Sequence, residues 1–232
     1  DPVEPMPGPY VLVIDQVADD LSIAHGLADF SSFQRMLETA RQENPGKTVV
    51  VKLHPDALAR PDRRHFAPEA LTVLSGVQVI ADDYHVAHLI AYAETVYTVT
   101  SQVGFEALIW GKPVRCFGMP FYAGWGLTDD ELSAPDRRKH IPLEQLVHAA
   151  LVKYPQYIDP ITMTRCEPER SFAHVGLQRR KRQEFPWQIM ALGFSRWKRP
   201  FIQRFLQGSD VLFAKTASSI SSSQSPPVIA LW

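Results

Sequence analysis

The chain has 232 residues, 45% of them hydrophobic, with two cysteines and a formal net charge of -1; that is enough apolar material for a sizeable core and too few cysteines for a disulfide framework. The small net charge hides an imbalance: residues 171–232 hold nine Lys/Arg against Glu184 and Asp210, leaving 15 basic and 23 acidic groups in the first 170 residues. An acidic globular part without a recognition motif argues against nucleic acid as a partner, and no run of about 18 apolar residues offers a membrane span.

Residues 1–9 lack an initiating methionine, a basic start and an apolar core, and their prolines read as an interdomain linker. Residues 10–14 form a continuous apolar run ending at Asp15-Gln16, the pattern of a parallel strand buried on both faces with polar residues at its carboxyl end. Phe33, Met36, Leu37 and Ala40 mark one face of a helix over 33–43, with Ser31 or Ser32 as N-cap and Asn44-Pro45-Gly46 as the stop. Residues 48–53 give a second strand that delivers Lys52 and His54-Pro55. A third strand follows at 77–80, a helix at 86–93, and further strands at 96–99 and 114–117. Between the last two strands, Thr100-Ser101-Gln102 leads into a helix over 104–110 whose free N–H groups attract an anion. Tyr122-Ala123-Gly124-Trp125-Gly126 then makes a loop able to press closely on a ligand.

Strands alternating with helices on short joins predict an α/β fold, a Rossmann-like doubly wound parallel sheet over residues 10–170 with one more helix at 143–151. Residues 171–216 read as a basic helical extension, with a helical pair over 187–205 broken at Pro200. Its aromatic residues Trp187, Phe194, Trp197, Phe201 and Phe205 suit an acidic partner domain or an anionic membrane surface. Residues 217–232 read as a Ser-rich linker followed, from Val228, by the start of a further domain.

A parallel sheet brings residues 15–22, 52–55 and 100–106 to one rim. Each group has a plain structural alternative beside its functional one. His54-Pro55 is a turn or a phosphate contact. Ser101 is a helix cap or a ligand contact, with Glu106 on the solvated face. Asp15, Asp19 and Asp20 are a metal pair, a nucleophile, or the acidic start of a helix. Tyr122 and Trp125 pack the loop or meet a base or sugar. No third carboxylate or histidine follows at a ligand spacing, so no metal is expected. The serines lack a GxSxG elbow, and His25, His85 and His88 form no evident triad.

The stretches VIDQVADDLSIAHG, VKLHPD, YTVTSQVGFEALIWGKPVRCFGMPFYAGWGLTDD and KYPQYIDP resemble, in order, the KpsC/LipA family of capsule polysaccharide proteins, over about residues 10–205. The resemblance implies a retaining β-Kdo glycosyltransferase that takes Kdo from CMP-Kdo and adds it to a phosphatidylglycerol-linked Kdo acceptor. It implies GT-B-like modules, each with two Rossmann-like halves, arranged in tandem. It makes Asp20 the nucleophile, with Asp19 the adjacent alternative, and Lys52 the cation that offsets the Kdo carboxylate and the leaving phosphate. Gln16, His54, Pro55, Thr100, Ser101, Gln102, Glu106, Tyr122, Gly124 and Trp125 become donor contacts, and no cofactor is expected beyond the CMP-Kdo donor itself. On this resemblance the chain is the donor-binding, C-terminal half of a first module, inactive alone. Its implied partners are the N-terminal half-module, a second module and capsule assembly proteins, at a cytoplasmic location peripheral to the inner membrane. Two other readings stand beside it: a polyol-phosphate transferase using a CDP donor, and a non-catalytic nucleotide-binding module of a capsule assembly complex.

Overall fold

The apolar run Tyr10–Ile14 (β1) is buried at all of its positions, as a strand covered by helices on both faces must be. The computed structural model describes residues 9–56, 60–81, 85–206, 208–215 and 228–231. By its contacts the chain divides into two compact units, Asp1–His148 and Ala149–Trp232.

In the first unit β1 is joined by Thr48–Lys52 (β2), Val77–Ile80 (β3), Ala93–Thr98 (β4), Val114–Cys116 (β5) and Asp129–Asp130 (β6). All neighbours pair in parallel, in the order β3-β2-β1-β4-β5-β6. The chain builds outward from β1 through β2 and β3, then crosses back to lay β4 on the other side of β1. Such a reversal leaves a crevice beyond the carboxyl ends of the two strands that flank it, here β1 and β4. The in-register pairs Ile14↔Lys52 and Val13↔Tyr97 bring the residues after β1, β2 and β4 to one level.

Leu21–His25 (α1) follows β1 closely, and Phe30–Glu43 (α2) covers one face of the sheet. Phe33, Met36, Leu37 and Ala40 of α2 pack on Val11, Val13, Val49, Val51 and Tyr97, each large side chain contributing about 1.5–3 kcal/mol by its burial. The N-cap of α2 is Asp29, not Ser31 or Ser32: its carboxylate accepts from Ser32 N at 3.1 Å while Ser32 Oγ accepts from Asp29 N at 3.2 Å. This reciprocal box satisfies two free donors at once, so the helix starts three residues before the apolar face does. At the other end Asn44 Nδ2 donates to Tyr97 Oη at 2.9 Å and Tyr97 donates to Glu43 at 2.8 Å, tying α2 to β4. Burial, then the Glu43 contact, pushes the Tyr97 phenol up to about 12.

Pro68–Thr72 (α3), Val86–Tyr92 (α4), Val103–Ile109 (α5) and Leu143–His148 (α6) complete the helices of this unit. Tyr10 Oη donates to Leu89 O at 2.6 Å, which ties β1 to α4. The strand β4 begins at Ala93, earlier than the apolar pattern suggests, because Ala93 both caps α4 and pairs with Tyr10. The short β6 was not visible as an apolar run, since its two residues are aspartates held by backbone pairing to Arg115 and Cys116.

In the second unit a π-helical turn, Ala149–Lys153, precedes an antiparallel pair, Tyr157–Ile158 (β7) with Arg165–Cys166 (β8). The Asp159 carboxylate gathers this turn: it accepts from Ile161 N at 2.8 Å and from Arg170 Nε at 2.8 Å, and the Arg170 bond holds it below its ordinary pKa. Pro168–Glu184 (α7) follows. The segment 187–205, expected as a helical pair, is instead a strand, Gln188–Leu192 (β9), and a helix, Arg199–Phe205 (α8). Ile189 and Ala191 alternate inward along β9, a period of two that the aromatic residues nearby obscured. Pro200 falls in the first turn of α8, where no N–H is needed, so it starts the helix rather than breaking one. Asp210–Ala214 (β10) and Val228–Leu231 (β11) pair in parallel on either side of β9. The basic extension therefore holds strands as well as helices. The linkers expected at 1–9 and 217–227 lie, apart from Pro9, outside the described residues. Among the described residues no helix is long and apolar enough to cross a membrane.

Candidate functional site

Two cavities of about 380 and 320 Å³ open at the carboxyl ends of β1, β2 and β4. His54 and Ser101 line both, so they are two lobes of one cleft at the switch point. The larger lobe is lined by Gln16, Asp20, Ser22, Thr100 and Gln102. The smaller is lined by Asp15, Lys52, Pro55, His85 and Glu106 on apolar walls that include Ile14, Leu53 and Val103.

Asp20 caps α1. Its Oδ1 accepts from Ser22 N at 2.8 Å and its Oδ2 from Gln16 Nε2 at 3.4 Å, leaving an exposed carboxylate beside the larger lobe with its orientation fixed. Capping and a chemical role are thus compatible at this residue. Asp19 is turned elsewhere and pairs with Arg63 at 2.8 Å.

Gln16 is almost fully buried and bridges the two strand ends that flank the crevice. Its Oε1 accepts from Thr100 N at 2.9 Å, and its Nε2 donates to Thr100 Oγ1 at 3.0 Å and to Ser22 Oγ at 3.4 Å. The methyl of Thr100 fits between two glycines: a Cβ would meet it at 2.4 Å from Gly26 and at 2.7 Å from Gly118. Those glycines let the end of α1 and the turn after β5 close on the end of β4. Gln16 and Thr100 therefore set the geometry of the lobe from below.

His54 is half-buried at the junction of the lobes, and its Nδ1 accepts from Asp56 N at 3.2 Å. The neutral ring accordingly carries its hydrogen on Nε2, an assignment from partners that leaves a donor for a ligand. His85 repeats the device, its Nδ1 accepting from Ala87 N at 3.3 Å. Ser101 Oγ accepts from Val103 N at 3.3 Å and retains its own hydrogen to donate. Lys52 is buried in the smaller lobe, with Nζ donating to Leu53 O at 3.2 Å; the lobe that holds Asp20 is not lined by it.

Tyr122, Gly124 and Trp125 line neither lobe. Tyr122 is fully buried and donates to Ser101 O from behind the rim; burial raises its phenol well above the ordinary value. Gly124 N donates to Asp130 at 2.7 Å and Trp125 Nε1 to Phe121 O at 2.7 Å. Arg138 binds Pro120 O and Ala123 O and lies over the Trp125 ring at 5.5 Å. This loop supports the Ser101 turn.

Residues 3–157 match the family of capsule polysaccharide biosynthesis proteins. The chain belongs to that family. Within it, the capsule polysaccharide modification protein LipA of Neisseria meningitidis is 36% identical over 201 residues, 84% of this chain and 28% of LipA. The lipopolysaccharide-processing protein LpsZ of Rhizobium meliloti is 37% identical over 173 residues, 73% of this chain and 38% of LpsZ. Among solved structures, the KpsC β-Kdo 2,4 transferase of Thermosulfurimonas dismutans is 38% identical with a TM-score of 0.66, covering 73% of this chain and 52% of that one. The β-Kdo 2,7 transferase of the same organism is 34% identical with a TM-score of 0.60, covering 75% and 55%. This capsule family member thus spans only part of the length of its relatives.

Three site features escaped the sequence reading. The pairing of Asp15 with buried His65 is one, since His65 lies in a stretch without periodicity. His85 is another, hidden as the cap of a short helix. The third is the role of Gln16 and Thr100 as a clamp, for which the paired glycines 26 and 118 were the available signal.

Proposed function

We propose that this chain is the donor-binding half of a glycosyltransferase that moves Kdo from CMP-Kdo onto a lipid-linked Kdo acceptor with retention of configuration. The observation that carries the reading is the meeting of Asp20, His54 and Ser101 in one cleft at the switch point, in a chain whose relatives include two Kdo transferases. The donor phosphate belongs at His54 and Ser101, where both lobes meet and two hydrogen-bond donors point in. The nucleoside then extends into the smaller lobe, with Glu106 near the ribose, and the sugar lies beside Asp20.

Retention follows from two inversions. An oxygen of Asp20 attacks the anomeric carbon of Kdo as the carbon–oxygen bond to the phosphate breaks, and CMP leaves with the electron pair. The acceptor hydroxyl then attacks the same carbon on the side opposite the aspartyl ester, the ester carbon–oxygen bond breaks to restore the Asp20 carboxylate, and the hydroxyl proton passes to solvent. His54 and Ser101 stabilise charge on the departing phosphate. Lys52 supplies positive charge at the smaller lobe. The acceptor side of the cleft belongs to an N-terminal half-module, so activity requires more than these residues. The same reading places the protein at the cytoplasmic face of the inner membrane, with a second module and capsule assembly proteins as partners.

The test is a pair of measurements. Calorimetry should show CMP binding to the chain. In the full-length protein Asp20→Ala should lower Kdo transfer by roughly a thousandfold or more while CMP affinity stays within about twofold. Full activity in that variant removes Asp20 from the mechanism. Consumption of a CDP-polyol instead of CMP-Kdo identifies a polyol-phosphate transferase, and CMP binding with no transfer to any Kdo acceptor identifies a non-catalytic module.

A further inference from the structure

The larger lobe has one wall that the transfer chemistry does not use. Phe121, the residue before the aromatic–glycine loop, lines that lobe and is 47% exposed. A single exposed phenylalanine is ordinary on a protein surface. This one is fastened at three successive residues. Met119 N donates to Gly26 O at 2.7 Å, Arg138 Nη1 to Pro120 O at 2.8 Å, and Trp125 Nε1 to Phe121 O at 2.7 Å. The ring meets buried Phe105 with centroids 5.0 Å apart and planes at 62°, and buried Tyr122 at 5.2 Å and 89°, the edge-to-face contacts that aromatic pairs prefer. With the carbonyl occupied, what stays exposed is chiefly the ring, and its position is set before any ligand arrives.

The other walls narrow what the ring faces. Val17 is the lobe's second apolar side chain, and the rest, Asp20, Ser22, His54 and Gln102 among them, are polar. Gln16 and Thr100 are buried and make the floor, whereas Asp20, Gln102 and Phe121 are exposed and make the mouth. The face of an aromatic ring is negative, so it repels an anion and attracts polarised C–H groups. A phosphate or carboxylate therefore belongs at the junction, where His54 and Ser101 line both lobes and the smaller lobe adds Lys52. A nucleobase finds apolar walls in that smaller lobe, at Ile14, Leu53, Val86 and Val103. What is left for Phe121 is the uncharged body of a sugar, which offers hydroxyls at its edge and C–H groups on its face. We propose that Phe121 is a sugar-binding residue of this cleft: its ring stacks on the C–H face of the donor's sugar and keeps the anomeric carbon beside Asp20, while the sugar hydroxyls turn to the polar walls.

The inference rests on the reading of the cleft as a CMP-Kdo site, and one set of titrations separates the two. Calorimetry of the 232-residue chain would compare CMP-Kdo with CMP, which lacks the sugar. Phe121→Ala should weaken CMP-Kdo by about tenfold and CMP by less than about twofold. Phe121→Tyr, which keeps the ring face, should bind both within about threefold of the wild type. Phe121→Leu keeps apolar bulk without that face, so it should lie nearer to the alanine variant; it also fills most of the space beside Phe105 and Tyr122, which preserves the test if Phe121→Ala does not fold. Melting temperatures show which variants are folded. An unchanged CMP-Kdo affinity in either folded variant overturns the proposal. An equal loss for CMP and CMP-Kdo overturns it as well, since the base and not the sugar then lies against the ring. If the wild-type chain binds CMP but not CMP-Kdo, the nucleotide site stands and the sugar-binding role falls. If neither ligand binds, both fall.

Discussion

Two segments at the carboxyl edge of the same sheet, the rim formed after β1, β2 and β4 and the aromatic–glycine loop after β5, carry the same kinds of residue and end in opposite states. The loop consumes its own polarity: Asp130 takes Gly124 N, Phe121 O takes the Trp125 indole, and Arg138 takes two carbonyls. The rim does not. His54 and His85 have one nitrogen occupied and one ring N–H to give, Ser101 keeps its hydroxyl hydrogen, and Asp20 presents a carboxylate. The difference is whether hydrogen-bonding capacity is spent inside the protein, and unspent capacity marks the ligand side.

That contrast predicts that loop substitutions cost stability and rim substitutions cost binding. The largest stability effect belongs to Gly104→Ala, at the seat of the loop's Tyr122 on α5. A Cβ there would meet Tyr122 Oη at 2.3 Å and the ring carbon behind it at 2.7 Å, and Tyr122 has no free space to retreat into. Overpacking of this kind costs about 1–3 kcal/mol, to be read as a lower denaturant midpoint with an unchanged slope. A variant as stable as the wild type would show that the loop is looser than its hydrogen bonds imply. His54→Ala should do the reverse. Removing one donor to a charged phosphate should weaken CMP binding by roughly tenfold, while stability moves by no more than about 0.5 kcal/mol. A large loss of stability with CMP binding intact would make His54 the turn residue that its proline neighbour first suggests.

The sheet was legible because its evidence is periodic. The runs Tyr10–Ile14 and, within Thr48–Lys52, the three valines 49–51 are apolar, and each is followed by polar residues, so both the strands and the edge that carries the site could be read from them. Asp20, His54 and Ser101 were placed on one rim by that pattern and given their roles by resemblance, and the fold gives the physical reason they meet: parallel pairing sets the ends of β1, β2 and β4 level. Partners brought from outside the pattern were hidden. His65 reaches Asp15 from a segment that packs on α2 through His65 and Phe66 against Phe33 and through Gln34 to His65 O, and nothing in the spacing of residues 60–66 encodes that. The strand β9 was misread for a related cause, because alternation over five residues is a weak signal when Phe185, Trp187, Phe194 and Trp197 flank it so closely. Tyr122 and Trp125 were placed on the ligand for their residue types, yet residue type does not say in which direction hydrogen-bonding capacity is spent.

The smallest effect is the sharpest test of the contrast. Tyr122→Phe keeps the ring that packs against Phe105 and Phe121 and removes only the hydroxyl that donates to Ser101 O. That carbonyl still accepts from Gly104 N at 3.1 Å, so it is not left unpaired and the loss should be near 1 kcal/mol. If the loop serves the site only by holding the Ser101 turn, CMP affinity should fall by less than about threefold. Its enthalpy should change little, because no bond to the ligand is lost. If instead the Tyr122 hydroxyl leaves Ser101 and turns to the ligand when CMP binds, the same substitution should weaken CMP by about tenfold or more on top of that loss. The two outcomes separate when stability is measured with and without saturating CMP. A buttress costs the same in both states, whereas a ligand contact costs more in the bound one.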